Sequence, residues 1–149
     1  MGVLDRLPEV FNNTPGRVAE LGGSNLCGSA ASVARIFAAI GEPDGLDGVR
    51  LASRESLEKF TEIRETRDDL VLHVPIARAL GYWRNKVLTP RPQGFGPNDE
   101  AFGHTGVGGQ IGFCDPQARV GAAYVRSHYT AFPMVPLILN GALYQSLAG

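Results

Sequence analysis

The sequence is poor in the features that announce a metal, a membrane or a nucleic acid. It has two cysteines, Cys27 and Cys114, and three histidines, His73, His104 and His128, all widely separated. A structural zinc site needs such ligands clustered at short spacing, so no metal is expected, and no motif calls for another cofactor. The two thiols read as unpaired and buried rather than as a disulfide. No apolar run approaches the roughly eighteen residues of a membrane span. Charge of one sign is also lacking. A net charge of −1 gives no electrostatic case for nucleic acid or an anionic bilayer. The opening MGVLDRLPEVF carries Asp5 and has no apolar h-region, so it does not read as a secretory signal. Arg6 stands where a myristoylation pattern needs Ser or Thr, and the expected location is cytoplasmic.

What is present fits one globular domain. The chain has 149 residues, 44% apolar and 19% charged, with 19 glycines and 10 prolines. That length can bury a real core, and the glycine and proline content implies many loops. Residues 1 to 23 are ambiguous: Leu4, Leu7, Val10 and Phe11 have helical spacing, Pro8 interrupts them, and Asn12 to Gly16 is a turn cluster. A helix is expected from about Ser29 to Ile40, with Val33, Ile36, Phe37 and Ile40 as its apolar stripe and Gly41 as its stop. Val49 to Ala52 reads as extended. Ser53 is placed to cap a second helix from Arg54 to about Glu62. The charged run Arg64 to Asp69 reads as a solvated loop. Ile76 to Trp83 reads as a strand, and the proline-rich Lys86 to Glu100 as a loop. At the C-terminus, Pro133 and Pro136 suit a first helical turn, and Leu137, Leu139, Ala142, Leu143 and Leu147 mark a helix lying on a sheet.

The centre of the sequence is Phe102 to Tyr129. It reads as a hairpin of an apolar strand, Ile111 to Cys114, and a second strand, Val120 to Val125, turning at Asp115-Pro116, with the polar triplet His104-Thr105-Gly106 at its front. Gly103, Gly106, Gly108 and Gly109 crowd the triplet. Glycine at that density marks a bulge or a close approach by a ligand or another backbone. Gly108-Gly109 is not a phosphate loop, because it lacks the Gly-Lys-Ser/Thr ending and lies between strands.

The segment from Phe102 to Val125 has the form F-G-H-T-G-x-G-G-x-x-G-F-x-D-P-x-x-x-x-G-x-x-Y-V. In this it resembles the β-lactamase-related serine hydrolases, the superfamily of serine β-lactamases, penicillin-binding proteins and bacterial carboxylesterases. The resemblance covers most of this chain but only the C-terminal part of the family's chain. It implies a partial β-lactamase-like fold of α/β (α+β) type. Residues 1–70 would be mostly helical, and 71–149 would supply antiparallel strands and a C-terminal helix packed on them. It also implies roles. His104, Thr105 and Gly106 would form an active-site wall, and the Val107 backbone N–H would be one oxyanion donor. The chemistry implied is acyl transfer from ester or β-lactam carbonyls through an acylated serine. Ser56-Leu57-Glu58-Lys59 is the only Ser-x-x-Lys, but it begins a charged surface helix and matches a non-catalytic family stretch. No Tyr-x-Asn follows it and no Gly-x-Ser-x-Gly occurs. The expectation is therefore a C-terminal portion inactive alone, its small-molecule substrate bound only when an N-terminal half completes it. A non-catalytic interaction module is the alternative. An uncompleted sheet would also expose an edge through which the chain could self-associate.

Overall fold

A computed structural model describes residues 7–24, 27–85, 94–127 and 134–149. Three helix starts follow from side-chain caps. Asn13 accepts a hydrogen bond from the Gly16 N–H and opens the short helix α2 (Thr14–Val18), with a proline in its first turn. The residues that read as a turn cluster are thus partly a helix start, preceded by α1 (Leu7–Phe11). Ser29 caps α3 (Ala30–Gly41) by accepting from the Ser32 N–H at 3.1 Å. Ser53 does the same for α4 (Arg54–Thr61) through the Ser56 N–H at 3.1 Å. An oxygen at this position satisfies one of the N–H groups that a helix start leaves unpaired.

Six antiparallel strands form one sheet in sequence order: β1 (Glu65–Asp68), β2 (Pro75–Arg78), β3 (Trp83–Arg84), β4 (Phe102–Thr105), β5 (Ile111–Asp115) and β6 (Val120–Tyr124). Three expectations are corrected here. The charged run after Arg64 is not a loop, since Glu65 to Asp68 pairs residue for residue with Arg78 to Pro75. Consequently a strand falls inside residues 1–70, which were expected to be mostly helical. Pairing with β2 satisfies the backbone, while the charged side chains stay at the sheet margin, an arrangement suited to an edge strand. Second, Ile76 to Trp83 is not one strand. Gly81, at φ +80°, turns the chain, the Ala79 N–H bonds the Tyr82 carbonyl at 2.8 Å, and the run becomes the β2–β3 hairpin. Third, the stretch from Phe102 is a three-stranded meander, because the His-Thr-Gly triplet ends a strand of its own. His128 and Tyr129 lie outside the described residues.

The sheet is covered on both faces. On one, α3 lies so close that a Cβ at Gly121 would meet the Ala38 nitrogen at 2.5 Å and the Ala34 oxygen at 2.6 Å. At Gly112 it would meet the Phe37 ring and Val33. Tyr82 links Phe37 and Phe102 by edge-to-face contacts on this face, with centroids 6.2 and 5.2 Å apart. On the other face Phe95, Ala101, Ile111 and Phe113 form the core, joined by Trp83, Val120, Ala122, Tyr124 and Tyr144. The C-terminal helix α5 (Met134–Leu147) reaches this core by an unexpected route. Leu137, Ile138, Leu139 and Leu147 are exposed. The helix is held by buried Pro136, by Asn140 bonded to the Gly94 carbonyl, and by Tyr144. Spacing of four residues places these three on one face.

Both cysteines are free, but only Cys114 is buried; Cys27 is exposed, against the expectation of two buried thiols. Burial first, then the Asp115 and Glu42 charges, push the Cys114 thiol up to about 12, so it stays neutral in β5.

Candidate active site

The His-Thr-Gly triplet sits where β4 runs out. Phe102 and Gly103 are buried, His104 is exposed, and Thr105 pairs with Ile111 at the last rung of the β4–β5 ladder. The chain then turns tightly. The Gly106 N–H donates to the Gln110 carbonyl at 2.8 Å and the Gly109 N–H to the Gly106 carbonyl at 3.0 Å. Gly108 and Gly109 have φ of +106° and +91°, a region L side chains rarely adopt, so the Gly-Gly pair is what closes this turn. The result presents Val107 at the tip, 63% exposed. Its N–H makes no hydrogen bond among the described residues.

The His104 ring is held in place. Its Nδ1 lies 2.6 Å from the Thr105 carbonyl, which can only accept, so this contact requires the proton on Nδ1 and leaves Nε2 as the acceptor of the neutral ring. The Trp83 indole lies against it, with centroids 4.5 Å apart and planes at 42°. An imidazole with one nitrogen tied back and the other without a partner among the described residues, three positions before an N–H that is likewise unpartnered there, is suited to exchange a proton with, or orient, a polar ligand.

Two residues of this neighbourhood were not evident in the sequence. Trp83 comes from β3, two strands distant in the fold's order from β5, and only pairing brings it to His104. Gln110 closes the turn; its Oε1 is buried without a partner among the described residues, and a Cβ at Gly106 would stand 3.2 Å from it. That crowding explains why position 106 is glycine better than the backbone does, since no positive φ is found there.

In the Ser-x-x-Lys sequence the serine and the lysine have separate partners. The Ser56 hydroxyl is 3.0 Å from that of Ser53, within the helix cap, and Lys59 is ion-paired to Glu55 at 2.7 Å. Among the described residues there is no group of three metal-ligating side chains, and no helix is long and apolar enough to cross a membrane.

Comparison with known proteins locates this architecture. No family model matches the sequence. The esterase/β-lactamase LipL of Mycobacterium tuberculosis is 34% identical over 123 residues, which are 82% of this chain and 26% of LipL. Three solved structures share the fold. A family VIII carboxylesterase superposes with a TM-score of 0.79 at 28% identity, over 91% of this chain and 37% of its own. EstA from Arthrobacter nitroguajacolicus Rue61a gives 0.76 at 26% identity, over 100% and 39%. A penicillin-binding protein homologue from Caulobacter crescentus gives 0.68 at 32% identity, over 78% and 31%. The fold is thus β-lactamase-like, mixed α and β around an antiparallel sheet. In sequence and fold the chain is similar to β-lactamase-related esterases and penicillin-binding-protein homologues, matching a C-terminal part of them. It spans 26 to 39% of the length of these relatives.

Proposed function

We propose that this chain contributes one wall of an acyl-transfer cleft that works on ester or β-lactam carbonyls, with the attacking serine supplied by polypeptide outside it. One observation carries the reading: the unpartnered, exposed Val107 N–H follows directly on a His-Thr-Gly strand end whose imidazole is oriented and has one nitrogen free. In this role the Val107 N–H holds the oxyanion that forms when a hydroxyl attacks the carbonyl, a donor worth about 2.7–4 kcal/mol where such groups have been removed. His104 Nε2 faces the substrate as proton acceptor or anchor. Thr105 offers its hydroxyl, and Gly106 keeps the strand bare enough for a carbonyl to approach. Residues 1–70 and 71–149 then act as parts of one C-terminal portion of the hydrolase domain. The names of two relatives, an esterase/β-lactamase and a carboxylesterase, support the substrate class.

A chromogenic short-chain ester tests the reading. The purified chain alone is expected to show no turnover above buffer. Combined with the segment of LipL lying outside the match, it is expected to restore turnover, and His104→Ala to lower kcat/KM by roughly 10²-fold, as for loss of a positioned acid–base group. Turnover by the chain alone that Ser56→Ala abolishes would overturn the proposal.

A further inference from the structure

Two contacts bear on the exposed His104 ring: the Thr105 carbonyl, 2.6 Å from Nδ1, and the Trp83 indole, with centroids 4.5 Å apart. The first alone is a weak restraint. It is a single hydrogen bond at an exposed position, where water competes for both groups. Rotation about the second side-chain torsion is soft, so the ring can offer either nitrogen. A solvated neutral histidine favours the proton on Nε2, the opposite of what the Thr105 contact requires. The second contact is anchored. Trp83 is half-buried in β3 and packs against the core of Phe95, Ala101, Ile111 and Phe113. Its partner across the strands is Gly103, which has no side chain, so the indole has room to lie over β4 against the next residue. Position 103 admits nothing larger, since a Cβ there would stand 2.3 Å from the Gly112 carbonyl oxygen.

We propose that Trp83 is a positioning residue for His104. Its indole, seated on the core, is the plate that holds the imidazole in the one orientation that keeps the proton on Nδ1 and presents Nε2 as an acceptor. This role rests on the reading of His104 as the substrate-facing group, and it states what that group can take. A bare Nε2 accepts and cannot donate, so it receives the proton of a hydroxyl or N–H on the nucleophile or the substrate. With the other tautomer the same position would present a donor, and that exchange would be lost. Trp83 and His104 stand on strands that pair directly with each other, so their contact does not depend on the polypeptide that completes the cleft. A flat aromatic face is what the role requires at position 83. An aliphatic side chain fills the core and leaves the imidazole free to turn.

Nitrogen NMR of the full chain tests this without substrate, at about pH 9, where an ordinary histidine is neutral. The His104 signals are assigned by their loss in His104→Gln. On the unsubstituted chain Nδ1 is expected to carry the proton and Nε2 to be bare, with the ring protons shifted upfield by the indole. Trp83→Leu keeps an apolar side chain against the core and is expected to lower the ratio of Nδ1–H to Nε2–H by roughly fivefold, the scale of a lost ring–ring contact. Trp83→Phe keeps a ring and is expected to hold the ratio near that of the parent. Unchanged backbone amide signals away from positions 83 and 104 show that each variant is folded. A bare Nδ1 or unshifted ring protons on the unsubstituted chain overturn the proposal whether or not the leucine variant folds. So does a ratio unmoved in folded Trp83→Leu, or one that falls as far in Trp83→Phe. No turnover is read here, so a failed ester test leaves these results standing, and the reverse holds.

Discussion

Asp69 shows how much structure one side chain can organise. Its carboxylate accepts from the Val71 and Leu72 N–H groups at 2.8 and 2.7 Å and is ion-paired to Arg78. This pins a tip on which Leu70 and Val71 are 82% and 83% exposed and His73 is held at φ +53°. The two backbone N–H groups, followed by Arg78, hold the carboxyl below its ordinary 3.8, because each favours the ionised form. A carboxyl whose folded value is depressed stabilises the fold above its unfolded value, and that contribution fades as pH falls through the folded one. The difference in Tm between the protein and Asp69→Ala is therefore expected to be constant near neutrality and to close as pH drops below about 4. A difference that persisted unchanged to pH 2 would contradict this assignment. At this scale part of the sequence is legible: Ser53 was readable as a cap because capping needs only residues three apart. His104 was singled out by resemblance. Trp83, its ring partner, was not, because nothing within a few residues of position 83 specifies position 104.

Among the elements, α3 and the β5–β6 pair depend on missing side chains. Gly112 and Gly121 let the helix sit directly on the strands. Gly121→Ala drives a methyl into the α3 backbone, which cannot give way as a flexible side chain would. The expected loss is about 1–3 kcal/mol of unfolding free energy, read as a lower urea midpoint at unchanged m. An equal or higher midpoint would mean that α3 is not seated there. The periodicity of α3 was visible because an amphipathic helix carries its own signal. β1 was not visible, because its charges look the same in a solvated loop and at a sheet margin. Only the ladder with β2 tells the two apart.

Across the whole molecule, one buried carboxylate joins three distant parts. Asp115, in β5, accepts from the Asn98 amide at 2.8 Å, from the Tyr144 hydroxyl at 2.7 Å, and from the Ala118 N–H at 3.1 Å. The Tyr144 hydroxyl is pushed well above its usual range, first by burial and then by Asp115, so it remains a donor. Tyr144→Phe leaves Asp115 one donor short and removes one of the two polar anchors of α5. A loss of about 1–3 kcal/mol is expected, with faster amide exchange along 134–147 than elsewhere. Uniform acceleration over the whole chain would show that α5 is not separately tied. By itself the sequence determined the helix starts near Ser29 and Ser53 and the strand character of Ile111 to Cys114 and of Val120 to Tyr124. Each of these rests on sterics or hydrogen bonds between near neighbours. Only the tertiary structure decided that Glu65 to Asp68 is a strand, that α5 is anchored through Pro136, Asn140 and Tyr144 while Leu139 and Leu147 stay exposed, and that β6 is the uncharged edge. Those outcomes depend on which remote groups meet, and a residue's identity does not encode the partner that folding brings to it.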